Sequence, residues 1–161
     1  MIRGLARSSA WLRAILIALA VGLLALQLLL PVLAGELGSP YDEISHLVGP
    51  YSVLGILALA SLQVVLFALW RLVGMAGAHE VFTPAALRWV DVVRLSLGIA
   101  ALLIAGPMVH LLFGVGVGGP GVVLGLGATL VCGVAAIALV TVMRGLLQEA
   151  ILDRAELAAV I

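Results

Sequence analysis

The stretch VVLGLGATLVCGVAAIALVTVM, residues 122–143, decides the fold class: 22 residues pass without one charged side chain. A helix rises about 1.5 Å per residue, so such a run can cross a hydrocarbon core of roughly 30 Å. Three further segments qualify by the same measure: residues 14–33, 51–72 and 91–113, the last uncharged from Leu95 onward. GVGVGGPG, residues 114–121, lies between the third and fourth. It predicts a short turn, because clustered glycine and proline end helices. Composition agrees. Of 161 residues, 65% are hydrophobic and 10% charged, against about 25% charged in an average soluble domain. So few charges cannot clothe a soluble surface. This excludes an ordinary soluble enzyme, a disordered chain and a direct nucleic-acid binder, and makes the lipid bilayer the first partner. The expected fold is an all-α four-transmembrane-helix bundle, one integral membrane domain over residues 1–161 with a tail over 144–161.

The arginines predict orientation. Arg3, Arg7 and Arg13 precede the first span, Arg71, Arg88 and Arg94 flank the link between the second and third, and Arg144 and Arg154 follow the fourth. These are all 8 basic residues of the chain, which has no lysine. The first opposite loop carries Glu36, Asp42 and Glu43, and the other carries no charge. Loops rich in arginine stay on the cytoplasmic side, so both termini are expected inside. Trp11, Trp70 and Trp89 fall at the inner interface, and Tyr41, Tyr51 and Phe113 at the outer one, as anchoring rings do. The absence of lysine and asparagine reads as the codon bias of a GC-rich bacterial genome, hence a bacterial plasma membrane. One rival reading takes residues up to Val32-Leu33-Ala34 as a cleaved signal peptide. The apolar run exceeds the usual 7–15 residues or so of such a signal, which favours a retained span.

Helices in lipid associate through close packing and hydrogen bonds rather than hydrophobic drive. Gly121, Gly125, Thr129 and Gly133 form a small-residue stripe on the fourth span, and Ala14, Ala18 and Gly22 one on the first. Ala101 and Ala105 do the same on the third. These predict helix packing within the bundle or a homo-oligomer face. Gln27, Gln63, Thr129 and Cys132 are the polar groups within spans, at depths that allow hydrogen bonds among them. No ionisable group is expected in the hydrocarbon core. Proton relays, voltage sensors and ion-coupled carriers usually keep such groups there.

No catalytic, cofactor-binding or metal site is expected. Cys132 is the only cysteine, so no internal disulfide can form. Glu36, Asp42, Glu43 and His46 share the first outer loop, but their spacing matches no metal motif and a solvated acidic loop explains them. No serine–histidine–acid grouping and no phosphate-cradling glycine loop is present. On the inner side, Thr83 and Pro84 predict a helix cap and first helical residue. Asp91 and Arg94, three apart, predict an ion pair at the interface. Beyond Arg144, Leu147, Ala150, Ile151, Ala158 and Ile161 approximate one apolar face, with Gln148, Glu149, Asp153 and Glu156 largely opposite. That pattern predicts an amphipathic cytoplasmic C-terminal helix, which extends the fourth helix or docks on the bundle, with a membrane-surface helix or a partner-binding helix as the alternatives.

The inner loop EVFTPAALRWVDVVRLSLG and the ending VMRGLLQEAILDRAELAAVI resemble the bacterial membrane family called domain of unknown function 2975. The resemblance runs along nearly the whole chain. It rests on the entry to the third span led by Phe82, and on MRGLL followed by a charged helix closing in Val160 and Ile161. Two departures stand out. Many members carry asparagine in that entry, where this chain is apolar around Ala86. Many also have a more acidic tail than Glu149, Asp153 and Glu156 provide. The family lends no catalytic residue. Its members are often encoded beside a small helix-turn-helix regulator, which implies a cytoplasmic regulator as partner. The leading expectation is therefore a non-enzymatic accessory or regulatory protein that binds a partner through Glu80, Asp91, Arg94, Glu149 and Asp153. The alternative is a small oligomeric transporter or channel lined by Gln27, Gln63, Thr129 and Cys132.

Overall fold

The computed structural model describes the backbone of residues 2–38, 45–77 and 83–159, and the side chains of residues 11–36, 45–76 and 83–155. Four long helices dominate it: α1 (Ile2–Gly38), α2 (Val48–Gly77), α3 (Pro84–Val109) and α4 (Pro120–Ala159). A 3-10 turn, Ser45–Leu47, leads into α2, and a π-helical turn, His110–Val115, prolongs α3. All four helices are long and apolar enough to cross a membrane. At 40 residues, α4 is about 60 Å long, twice the hydrocarbon thickness.

Local chemistry explains the helix starts. Pro84 and Pro120 each open a helix, where a missing N–H costs nothing and the fixed φ is already helical. The Ala86 N–H donates to the Thr83 carbonyl and the Val122 N–H to the Gly119 carbonyl, both at 3.0 Å. The glycine turn is narrower than its sequence suggests. Gly114 and Val115 belong to the π turn, and Pro120 and Gly121 to α4. Only residues 116–119 lie outside helix, with Gly116 at φ 71°, a conformation glycine adopts without strain. Pro107 sits inside α3 just ahead of the π turn. Proline removes one donor from the helical ladder, and the register widens immediately after it.

Consecutive helices run antiparallel. Leu30, late in α1, abuts Gly55, early in α2. Tyr51 at the start of α2 meets His110 just past α3. Asp91, early in α3, meets Arg144, late in α4. Arg13, Arg71, Arg88, Arg94 and Arg144 thereby share one end of the molecule, the arginine end. The largest interface joins α2 and α3, with α1 packed on α2 and α4 on α3.

The interior is built from small side chains. Ala58 and Ala68 of α2 and Ala86 and Ala100 of α3 are buried, with Ser52, Ser96, Leu16, Val65 and Val93. Backbones held this close gain dispersion contacts without needing large side chains. The outer surface is the reverse: Leu28 is 78% exposed, Leu102 74% and Phe113 83%. Contiguous apolar surface of this kind is what a membrane covers. Hydroxyl groups in the helices bond to their own backbone: Ser52 to the Val48 carbonyl, Ser61 to Leu57 and Thr141 to Ile137.

The tail extends the fourth span, as one of the expected arrangements has it, but not as an amphipathic helix of its own. The tail is the uninterrupted end of α4, an apolar helix overall. No proline follows Pro120, and the one nearby glycine, Gly145, weakens helix by only about 1 kcal/mol. Leu147, Ala150 and Ile151 are half-buried, in register with Gly133, Ile137, Val140 and Arg144 of the span. The apolar stripe at the tail is thus the continuation of the face that packs on α3. Ala158 and Ile161 lie outside the described side chains.

Candidate functional site

The arginine end holds the Asp91 ion pairs. Asp91 stands two turns into α3 on the flank facing α4. Arg144 Nε donates to Asp91 Oδ1 at 2.7 Å and Arg144 Nη2 donates to Oδ2 at 3.1 Å. This is a two-pronged guanidinium–carboxylate pair, the geometry in which arginine binds carboxylate best. Arg144 Nη1 also donates to Gln148 Oε1 at 3.1 Å. Arg94 Nη2 lies 3.5 Å from Asp91 Oδ1. The carboxylate therefore serves two guanidiniums, and its chemistry is that of a clamp between α3 and α4.

Of the five residues expected to bind a partner, the structure joins two, Asp91 and Arg94, through the wider of those contacts. Glu149 and Asp153 lie apart from them, exposed and four residues apart on one face of α4. Glu80 lies outside the described residues, as do Asp42 and Glu43 of the outer loop. Arg144 carries the strongest polar contact, yet its sequence role was only to mark orientation. The signal for it was present: an acid entering an apolar helix needs a cation at its own depth, and Arg144 closes the charge-free run of α4.

The small-residue stripe on α4 divides. A side chain at Gly133 would place Cβ 3.1 Å from Ala101 Cβ, and one at Gly125 would meet Met108 Cε at 3.0 Å, so both face α3. Thr129 lies between them and bonds to the Gly125 carbonyl at 2.8 Å. Gly121 has nothing within 4 Å. On α1, Ala14, Ala18 and Gly22 face away from the other helices, while Leu16, Ala20, Leu23, Gln27 and Leu30 turn toward α2.

The polar residues of the spans do not gather into one path. Gln63 Nε2 donates to Gln27 Oε1 at 2.9 Å, and Gln27 Nε2 donates to the Ile56 carbonyl at 3.2 Å. Thr129 is occupied on its own helix, and Cys132 is exposed on α4. Gln27 shares a depth with Thr129, but α1 packs on α2 and α4 on α3, so shared depth does not become contact.

Sequence reading took the aromatic residues only as anchors, and three of them do more. Tyr51 Oη and His110 Nδ1 lie 2.6 Å apart, a hydrogen bond whose direction follows the imidazole tautomer. At the arginine end, the Arg13 guanidinium stacks over Trp70 at 5.6 Å and that of Arg71 over Trp89 at 5.3 Å. These side chains line a cavity of about 480 Å³ between α1, α2 and α3. The spacing of Trp70 and Arg71 on α2 could suggest this only if the partners on α1 and α3 were known.

No characterised protein and no solved structure shows significant similarity to the chain. The family profile described as "Protein of unknown function (DUF2975)" matches residues 32–161. That range takes in three of the four helices entire, the inner-loop motif and the ending that carried the resemblance, and the chain belongs to that family.

Proposed function

We propose that this protein is a non-enzymatic accessory or regulatory protein of the plasma membrane that binds a cytoplasmic partner at its arginine end. The observation that carries this reading is the reach of α4. It continues unbroken from Arg144 to Ala159, roughly 24 Å past the clamp, and presents Glu149 and Asp153 on one exposed face. The Asp91–Arg144 fork fixes the base of this rod on α3. A rigid, anchored helix with a charged outer face suits recognition of a folded partner, because little order is lost on binding. The arginine asymmetry supports a cytoplasmic position for this end and for both termini. The family's association with small helix-turn-helix regulators supports one of these as the partner.

Crosslinked co-purification of the tagged protein from its native membrane tests the proposal. The expected result is one stoichiometric cytoplasmic protein, lost from Glu149→Ala/Asp153→Ala and kept by Leu124→Ala on the apolar surface. Recovery of the same proteins with both variants contradicts it.

A further inference from the structure

The cavity at the arginine end has a composition that the docking of a partner on α4 leaves unused. Its walls are Arg13 of α1, Trp70, Arg71 and Met75 of α2, and Ala85 and Trp89 of α3. We infer that this cavity is a binding site for the phosphate of an anionic lipid headgroup. Four observations support it. Each guanidinium lies over an indole face, which holds the cation by its π-face and leaves its N–H edge free to donate. No acidic side chain lines the cavity among the described residues, so two positive charges stand together there without a lining carboxylate. Arg13, Arg71 and Ala85 are exposed, so the site is reachable from outside the protein. Its volume, about 480 Å³, falls within the roughly 300–1,000 Å³ that bound small ligands occupy.

Depth selects the ligand. Tryptophan and arginine at helix ends mark the headgroup level of a bilayer, where phosphodiesters are the abundant anions. Guanidinium forks match phosphate oxygens in pairs. Basic pockets between transmembrane helices suit lipid phosphates for this reason. The apolar parts of Trp70, Met75 and Trp89 would lie against glycerol and the first acyl carbons. Because α1, α2 and α3 each contribute a wall, a bound headgroup would also tie these helices together. Free inorganic phosphate offers the same charge and oxygens without the apolar portion.

Native mass spectrometry of the full-length protein in neutral detergent, titrated with phosphatidylglycerol or phosphatidylcholine, tests this. The wild type is expected to bind phosphatidylglycerol about tenfold more tightly than phosphatidylcholine. Arg13→Ala/Arg71→Ala should lose that preference. Arg88→Ala/Arg154→Ala, which removes the same charge from the same end, should keep it. Ala85→Trp fills the cavity while retaining both arginines, and should also lose the preference; this variant decides the matter if the first does not fold. Equal loss in the two double-arginine variants, or undiminished binding by Ala85→Trp, overturns the site. Displacement of phosphatidylglycerol by equimolar inorganic phosphate overturns the lipid assignment, and its failure to displace supports it.

Discussion

At the scale of single residues, Asp91 with Arg144 and Gln27 with Gln63 are the polar pairs that tie one spanning segment to the next. The Asp91–Arg144 pair is partly exposed, at 38% and 32% of the two side chains, so water screens much of its Coulomb energy. Two-pronged geometry keeps it toward the upper end of exposed pairs. A double-mutant cycle with Asp91→Ala and Arg144→Ala in a reversible unfolding assay should therefore show a favourable coupling. Arg94→Ala should couple to Asp91→Ala more weakly, given its 3.5 Å single contact. Strict additivity for Asp91 and Arg144 would show that the fork is not formed. The amides behave alike but more modestly. Gln63→Leu removes one bond to Gln27, and a loss of about 0.6 kcal/mol is expected in the same assay. Gln27→Leu removes that bond and the one to the Ile56 carbonyl and should cost more than Gln63→Leu; the reverse order would contradict the observed pairing.

At the scale of elements, α4 makes the sharpest claims. Its two inward glycines differ in what they meet. Gly133 faces the fixed Cβ of Ala101, whereas Gly125 faces the flexible end of Met108. Gly133→Ile should destabilise by about 1–3 kcal/mol, as overpacking does. Gly125→Ala should cost less and Gly121→Ala little, as read by thermal unfolding in detergent. Equal costs at all three positions would mean that α4 does not pack on α3 in this register. The straightness of α4 is testable because Cys132 is the only native cysteine. Spin labels at Cys132 and Asp153→Cys should report a narrow distance distribution centred near 32 Å between backbone positions. A short, broad distribution would mean a hinged tail. The length of α4 was only partly legible in the sequence. The charge pattern after Arg144 invites a separate amphipathic helix, while the absence of any breaker beyond Gly145 favours continuation. Continuation prevails because the inward stripe through Gly133, Val140 and Arg144 runs on into Leu147 and Ile151.

At the scale of the whole molecule, the four spanning helices could be read from charge-free length, because lipid admits few charges and demands a complete backbone ladder. Family membership could be read from the inner loop and the ending. The order of helix neighbours could not. Small-residue spacing recurs on several helices, and only packing selects Ala58, Ala68, Ala86 and Ala100 for the interior while leaving Ala14, Ala18 and Gly22 outside. Pairings such as Gln27 with Gln63 and Asp91 with Arg144 follow from that order, and so were hidden with it. The arrangement leaves a charged projection, the end of α4, beyond a surface rich in exposed aliphatic side chains. Site-specific photocrosslinking in living cells tests its role most directly, with a photoreactive residue at position 149, 153 or 124. Adducts to one and the same cytoplasmic protein from 149 and 153, and none from 124, are the predicted result. Adducts to that protein from 124 alone, or none from 149 and 153, would contradict the role of α4 as a partner-binding rod.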